Sequence, residues 1–176
     1  MKKILCMLMA VLLLVPAMAQ AISVKDFCAE YNELNGKGFQ ANYELYEPND
    51  NGVWFLVTPY AGSFLAVQYD PATAEKPEDC QIKTLFVRHK PRTSMGQFVS
   101  DASAAMAILY PDVDASTIAD VIVSAMAHSW RLFGEEPSQP IAYNTETFGQ
   151  IVYEETTEYD TLLVDAPEYI THASHE

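Results

Sequence analysis

Short turn-forming stretches separate several strand-like segments, and this spacing constrains the fold more than any other feature of the chain. In the first half, the segments rich in β-branched and aromatic residues are 43–47, 53–58, 64–69 and 81–88. Pro48 to Gly52 forms a turn cluster between the first two segments. Parallel strands need a crossover of a dozen or more residues, so these connections predict an antiparallel meander.

Helical periodicity marks three other regions. Residues 24–34, about 94–109 and 116–133 repeat apolar side chains at i, i+3, i+4 and i+7, with Ser23 as a candidate N-cap of the first helix. Three more strand-like segments follow at 141–144, 147–154 and 158–164, the last two joined around Glu155. The order is one helix, four strands, two helices and three strands.

This order predicts an α+β fold in which about seven antiparallel strands form a sheet and about three helices pack on it. The order is also consistent with two helix-then-sheet halves. The length is typical of one domain, which we assign to residues 22–166. Residues 167–176 are acidic and are expected to form a flexible C-terminal tail.

The first 21 residues have the pattern of a Sec signal peptide. Lys2 and Lys3 precede an apolar run over residues 4–15, and cleavage after Ala19 or after Ala21 fits equally well. The apolar run is shorter than the ~20 residues that span a bilayer. We therefore expect a periplasmic or secreted protein with no membrane span after cleavage.

Removal of this segment leaves Cys28 and Cys80 as the cysteines of the exported chain. Paired cysteines in an oxidising compartment usually form a disulfide, so the sequence predicts a structural Cys28–Cys80 bond. The alternatives are a buried pair of thiols and a redox dithiol, although the C-x-x-C spacing of thiol oxidoreductases is absent.

The charge balance excludes one class of partner. The chain has 10 basic and 24 acidic residues and a net charge of −14, and cleavage of the signal removes two of these basic residues, Lys2 and Lys3. Nucleic-acid binding depends on Lys and Arg neutralising phosphates, so no nucleic-acid partner is expected. The field favours cationic partners, or it serves only to keep the protein soluble.

The candidate binding residues are a basic run and two aromatic residues of the first meander. They are Trp54, Tyr60, Arg88, His89, Lys90 and Arg92. A local positive charge in an acidic protein can contact an anion or a carboxylate, whereas Tyr and Trp anchor interfaces. The alternatives are solvated strand-end charge for the basic run and core packing for the aromatic residues.

Other candidates have weaker patterns. His128 borders the apolar face of the third helix, and four carboxylates cluster around the last hairpin: Glu154, Glu155, Glu158 and Asp160. The stretch from Asp112 to Ser116 begins like a calcium loop but lacks its glycine and its final glutamate. His172 and His175 lie in the expected flexible tail. We therefore expect neither a metal site nor a cofactor.

The chain has no G-x-S-x-G, S-x-x-K or glycine-rich phosphate motif. These observations favour an exported, non-enzymatic domain that binds a protein partner or a small ligand in the bacterial envelope. Two alternatives stay open. One is a carrier that holds a hydrophobic small molecule between sheet and helices, and the other is an envelope hydrolase or inhibitor that uses the carboxylates or His128.

Overall fold

The computed structural model of the chain describes residues 21–34, 53–57, 64–90, 95–134 and 139–170, of which residues 53–57 are described by their backbone alone. The helices in these ranges are α1 (Val24–Leu34), α2 (Met95–Leu109) and α3 (Ala115–Phe133). The strands are β1 (Val53–Val57), β2 (Phe64–Asp70), β3 (Gln81–His89), β4 (Ile141–Thr145), β5 (Gly149–Glu155) and β6 (Asp160–Asp165).

The six described strands form one antiparallel sheet in the order β1-β2-β3-β6-β5-β4. Each half of the chain therefore supplies a three-stranded meander, and the two meanders join where β3 pairs with β6. The α+β class is confirmed, but the described sheet has six strands rather than about seven. The additional strand predicted at residues 43–47 lies outside the described residues.

The hydrophobic core lies between the helices and one face of the sheet. Cross-strand partners share a face, and the buried strand residues on the helix side form two rows across the sheet. These rows are Leu65, Val87, Leu162 and Tyr153, and then Val67, Leu85, Val164 and Ile151. From the helices, apolar positions at helical spacing complete the core, including Phe27, Phe98, Met106 and Ile122.

Backbone hydrogen bonds attach α1 to the start of β3. The Val24 amide donates to the Cys80 carbonyl oxygen over 3.0 Å, and the Ile82 amide donates to the Ile22 carbonyl oxygen over 3.0 Å. Ser23 caps the helix, because its Oγ accepts a hydrogen bond from the Asp26 amide. Main-chain hydrogen bonds therefore hold α1 next to the start of β3, a connection that the predicted Cys28–Cys80 disulfide would have made.

The predicted disulfide is absent from this structure, in which Cys28 and Cys80 are buried thiols. The Cys80 Sγ lies 3.4 Å from the carbonyl oxygens of Ala74 and Lys76, so its thiol hydrogen points into its own loop. Burial raises the pKa of the Cys28 thiol to about 11, which keeps it protonated at neutral pH. Main-chain pairing nearby explains why the fold can hold α1 in place without a covalent bond.

Part of the segment expected to be a flexible tail packs on the domain. Pro167–Tyr169 form a single 3-10 turn, and the Tyr169 hydroxyl donates to an Asp70 carboxylate oxygen over 3.0 Å. Ile170 lies against Gly149, whose φ of +60° is the left-handed conformation that glycine adopts most easily. The remaining residues of the predicted tail, 171–176, lie outside the described part.

Candidate functional site

Strand alternation divides the basic run at the end of β3. Successive residues of a strand point to opposite faces, so His89 is buried on the helix side while Arg88 lies on the other face. The Arg88 Nε donates to the Thr161 Oγ1 over 3.0 Å, and its guanidinium carbon is 4.9 Å from the centre of the Tyr159 ring. Arg88 and His89 therefore cannot contribute to one binding surface.

The other predicted binding residues are only partly described. Lys90 is exposed directly after β3. The backbone of Trp54 pairs with Val67 in the β1–β2 ladder, but its side chain lies outside the described part, as do Tyr60 and Arg92. The proposed role of these three residues therefore stays a prediction.

His89 is the centre of a buried polar cluster between α2 and the sheet. Its side chain is 1% exposed, and its Nε2 lies 3.2 Å from the Asp101 Oδ2. Asp101 is held in turn by Gln97, whose Nε2 donates to the Asp101 Oδ1 over 2.7 Å. The Phe98 ring packs edge-on against the imidazole at 5.3 Å between centroids. The second imidazole nitrogen, Nδ1, is buried without a hydrogen-bond partner.

On the sheet side, the half-buried Asp160 and the exposed Glu155 continue the row of residues that begins at His89. Asp160 is the register partner of His89 on β6, and Glu155 is the register partner of Asp160 on β5. Burial, and to a smaller extent the neighbouring Glu155, raise the pKa of Asp160 to about 6, while His89 acts in the opposite direction. We call His89, Asp101, Glu155 and Asp160 the His89 cluster.

A separate cavity lies where α1, the end of α2 and the C-terminal turn meet. Its volume is about 330 Å³, and it is open to solvent on one side. Apolar residues form much of the wall, and Asp26, Glu30 and Glu168 supply carboxylates. The apolar wall residues include Ile22, Ile108, Leu109, Pro111 and Ala166. We call this cavity the acidic pocket.

Among the described residues, no ion pair involves a carboxylate of the acidic pocket. The one ion pair between described residues is His89–Asp101, which lies in the other cluster. Asp26 accepts a hydrogen bond from the Ser23 hydroxyl over 2.7 Å, an interaction that adds no positive charge. The pocket therefore combines a partly apolar wall with three carboxylates, a composition that favours a cationic group.

The remaining candidates do not form sites in the described residues. His128 packs against Tyr143 at 5.9 Å between ring centroids and forms no ion pair with a described carboxylate. Asp114 occupies the N-cap position of α3, where its side chain makes no capping hydrogen bond. The described residues contain no cluster of three or more His, Cys, Asp or Glu side chains able to hold a metal ion. His172 and His175 lie outside the described ranges.

The sequence interpretation missed Asp101 and the acidic pocket. Asp101 follows Phe98 by three residues, so helical spacing alone places its carboxylate on the apolar face of α2. This position could therefore have been predicted from the sequence. The pocket left no comparable signal, since its wall comes from three segments far apart in the chain. Only the tertiary fold brings Glu30 and Glu168 to one cavity.

Comparisons with protein-family models, with curated proteins and with solved structures gave no match. In the described ranges, no helix combines the length and the apolar character needed to cross a membrane. The His89 cluster and the acidic pocket are therefore the features of the structure from which a function can be inferred.

Proposed function

We propose that this chain is an exported, non-enzymatic binding domain of the bacterial envelope. Its ligand is a positively charged group, presented by a partner protein or by a small molecule, and its site is the acidic pocket. The observation that carries the proposal is an open cavity of about 330 Å³ with a partly apolar wall and carboxylates that form no ion pair with a described residue. Such cavities are within the size range of small-ligand sites.

The chemistry of the pocket specifies its ligand. Glu30 and Glu168 favour an ammonium or guanidinium group, and Ile108 and Leu109 offer apolar surface to a short alkyl chain attached to it. A lysine or arginine side chain has this construction, and so does an alkylamine. The net charge of −14 attracts such ligands from a distance and repels anionic ones.

The two alternative functions fit less well. A carrier of neutral hydrophobic molecules would need an apolar cavity between sheet and helices. There, the described side chains of Phe98, Met106 and Tyr153 pack against one another in one core cluster. A hydrolase that uses His128 as its base would need a carboxylate to orient the imidazole, and no described carboxylate forms an ion pair with His128. Binding is the function that the observed geometry supports best.

The test uses the chain beginning at Gln20 and monitors its amide signals by NMR during titration with a small molecule. The cationic probe is n-butylamine, and n-butanol is its uncharged match. We expect n-butylamine to shift the amide signals of Ile22, Glu30 and Leu109, and n-butanol to leave them in place. Shifts with both probes would indicate apolar binding alone. An absence of shifts with n-butylamine would contradict the proposal.

Matched variants separate the pocket from general surface charge. Glu30→Gln and Glu168→Gln each remove one pocket carboxylate, whereas Glu158→Gln removes an exposed carboxylate of the β5–β6 turn, outside the pocket. We expect the two pocket variants to weaken n-butylamine binding severalfold and Glu158→Gln to leave it unchanged. Equal weakening by all three variants would mean that net charge, and not the pocket, attracts the amine.

A further inference from the structure

We propose that the acidic pocket binds the amino terminus of the mature chain. When the signal peptide is cleaved after Ala21, the new α-ammonium group of Ile22 binds the pocket carboxylates and competes there with external amines. The inference rests on the proposed function, because it uses the same preference of the pocket for a cation. It adds that the choice of cleavage site regulates how strongly the pocket binds a ligand.

The peptide bond between Ala21 and Ile22 lies at the wall of the pocket, because both residues line it. Ala21 also completes one of the two A-x-A patterns near the end of the signal, Ala19-Gln20-Ala21. Cleavage after Ala21 leaves the amino group on a described residue of the wall. Cleavage after Ala19 leaves it two residues earlier in the chain, so the two cleavage sites have different consequences for the pocket.

Cleavage creates a cation at this point of the wall. A signal peptidase adds one water molecule across the Ala21–Ile22 peptide bond. The bond between the Ala21 carbonyl carbon and the Ile22 nitrogen breaks, and the water oxygen joins the carbon. The Ala21 carboxylate leaves with the signal, and both water hydrogens end on the Ile22 nitrogen as an ammonium group. An α-amino group in general has a pKa of about 7.7–8.0, so this group is mostly charged at neutral pH.

Main-chain hydrogen bonds hold Ile22 in position on the other side of the cleaved bond. Its carbonyl oxygen accepts a hydrogen bond from the Ile82 amide over 3.0 Å, and the next residue, Ser23, forms an isolated bridge with Gln81 of β3. The Ile22 nitrogen is separated from its own carbonyl carbon by the Cα atom alone. It therefore stays beside the pocket after Ala21 has left.

The charged side chains in the described wall of the pocket are all acidic. Asp26 and Glu30 are four residues apart on α1, so they share one side of the helix, and the C-terminal turn adds Glu168. Asp26 lies in the first turn of α1, where it offsets the positive end of the helix dipole. All three carboxylates are exposed, and exposed ion pairs are individually weak, so the expected effects on affinity are severalfold.

Two forms of the mature chain test the proposal. One begins at Ile22 with a free amino group, and the other has an acetyl group on the Ile22 nitrogen, which removes the charge and restores the amide that Ala21 provides. We expect n-butylamine to bind the acetylated form severalfold more tightly, because the free form already places a cation in the pocket. The chain beginning at Gln20 should bind like the acetylated form. Equally tight binding by the free and acetylated forms would overturn the inference and leave the proposed function standing.

A second measurement needs no added amine. The pKa of the amino group in the free form is obtained from the pH dependence of the Ile22 NMR signals. We expect it to lie about half a unit above the usual range, because the pocket carboxylates favour the charged form. Glu30→Gln and Glu168→Gln should each lower this pKa, and Glu158→Gln, the matched control on the β5–β6 turn, should leave it unchanged.

This measurement separates failure of the inference from failure of the proposed function. A pKa within the usual range that is the same in all three variants would overturn the inference. If neither form binds n-butylamine but the pocket variants lower a raised pKa, the pocket holds the amino terminus and the proposed binding of an external ligand is wrong.

Discussion

Replacement of Gly149 by alanine should destabilise the fold by about 2–3 kcal/mol. A left-handed conformation costs an L-residue about 1–2 kcal/mol, and the φ of Gly149 is +60°. The new Cβ would also lie 2.7 Å from the Ile170 Cγ2, well inside an ordinary carbon–carbon contact. Displacing Ile170 from its rotamer adds about 1 kcal/mol. The C-terminal turn would then lose part of its packing against β5.

The assay is urea unfolding followed by circular dichroism, with Gly96→Ala as a control of opposite sign. Gly96 lies near the start of α2 with no atom within 4 Å of its hypothetical Cβ, so alanine there should stabilise the helix by about 0.5 kcal/mol. In an Ile170→Ala background, Gly149→Ala should cost only the backbone term of about 1–2 kcal/mol. A change of less than about 0.5 kcal/mol in the free energy of unfolding on Gly149→Ala would refute the reasoning, because an ordinary helix glycine already has an effect of that size.

Two further predictions concern the buried hydroxyl and the thiols. Tyr110→Phe removes the hydrogen bond that the Tyr110 hydroxyl donates to the Asp165 carbonyl oxygen, and should lower the free energy of unfolding by about 1–2 kcal/mol. Tyr159→Phe is the control and should change the free energy of unfolding little. Equal effects of the two substitutions would contradict the role of the Tyr110 hydroxyl. Cys28 and Cys80 should resist alkylation in the native protein and both react after unfolding, because both are buried. If mass spectrometry shows no alkylation of the unfolded, unreduced protein, the two cysteines form a disulfide.

Local patterns predicted the elements well, because each depends on near neighbours in the chain. The apolar spacing of residues 24–34 and the Ser23 cap are confirmed as α1 and its N-cap. The helix predicted at about 94–109 is confirmed as α2, and the last hairpin appears as β5 and β6, with its turn about one residue later than predicted. Side-chain periodicity and turn chemistry carry this information directly.

The sites were harder to predict, because they depend on which face a residue takes and on distant partners. His89 looked like part of a charged surface run, yet strand alternation turns it into the core beside Asp101. The carboxylates of the last hairpin looked like one exposed group. The register instead places Asp160 beside the buried His89, whereas Glu158 stays exposed.

The order of strands has a consequence for the folding pathway. Within each meander, every strand pairs with its neighbour in sequence. The central β3–β6 pair instead joins residues 71 to 81 positions apart, so its loop-closure entropy is the largest in the sheet. The middle of the sheet should therefore form after its two outer parts. We expect the docking of the two meanders to limit the rate of folding, so destabilising substitutions in the central β3–β6 pair should slow folding.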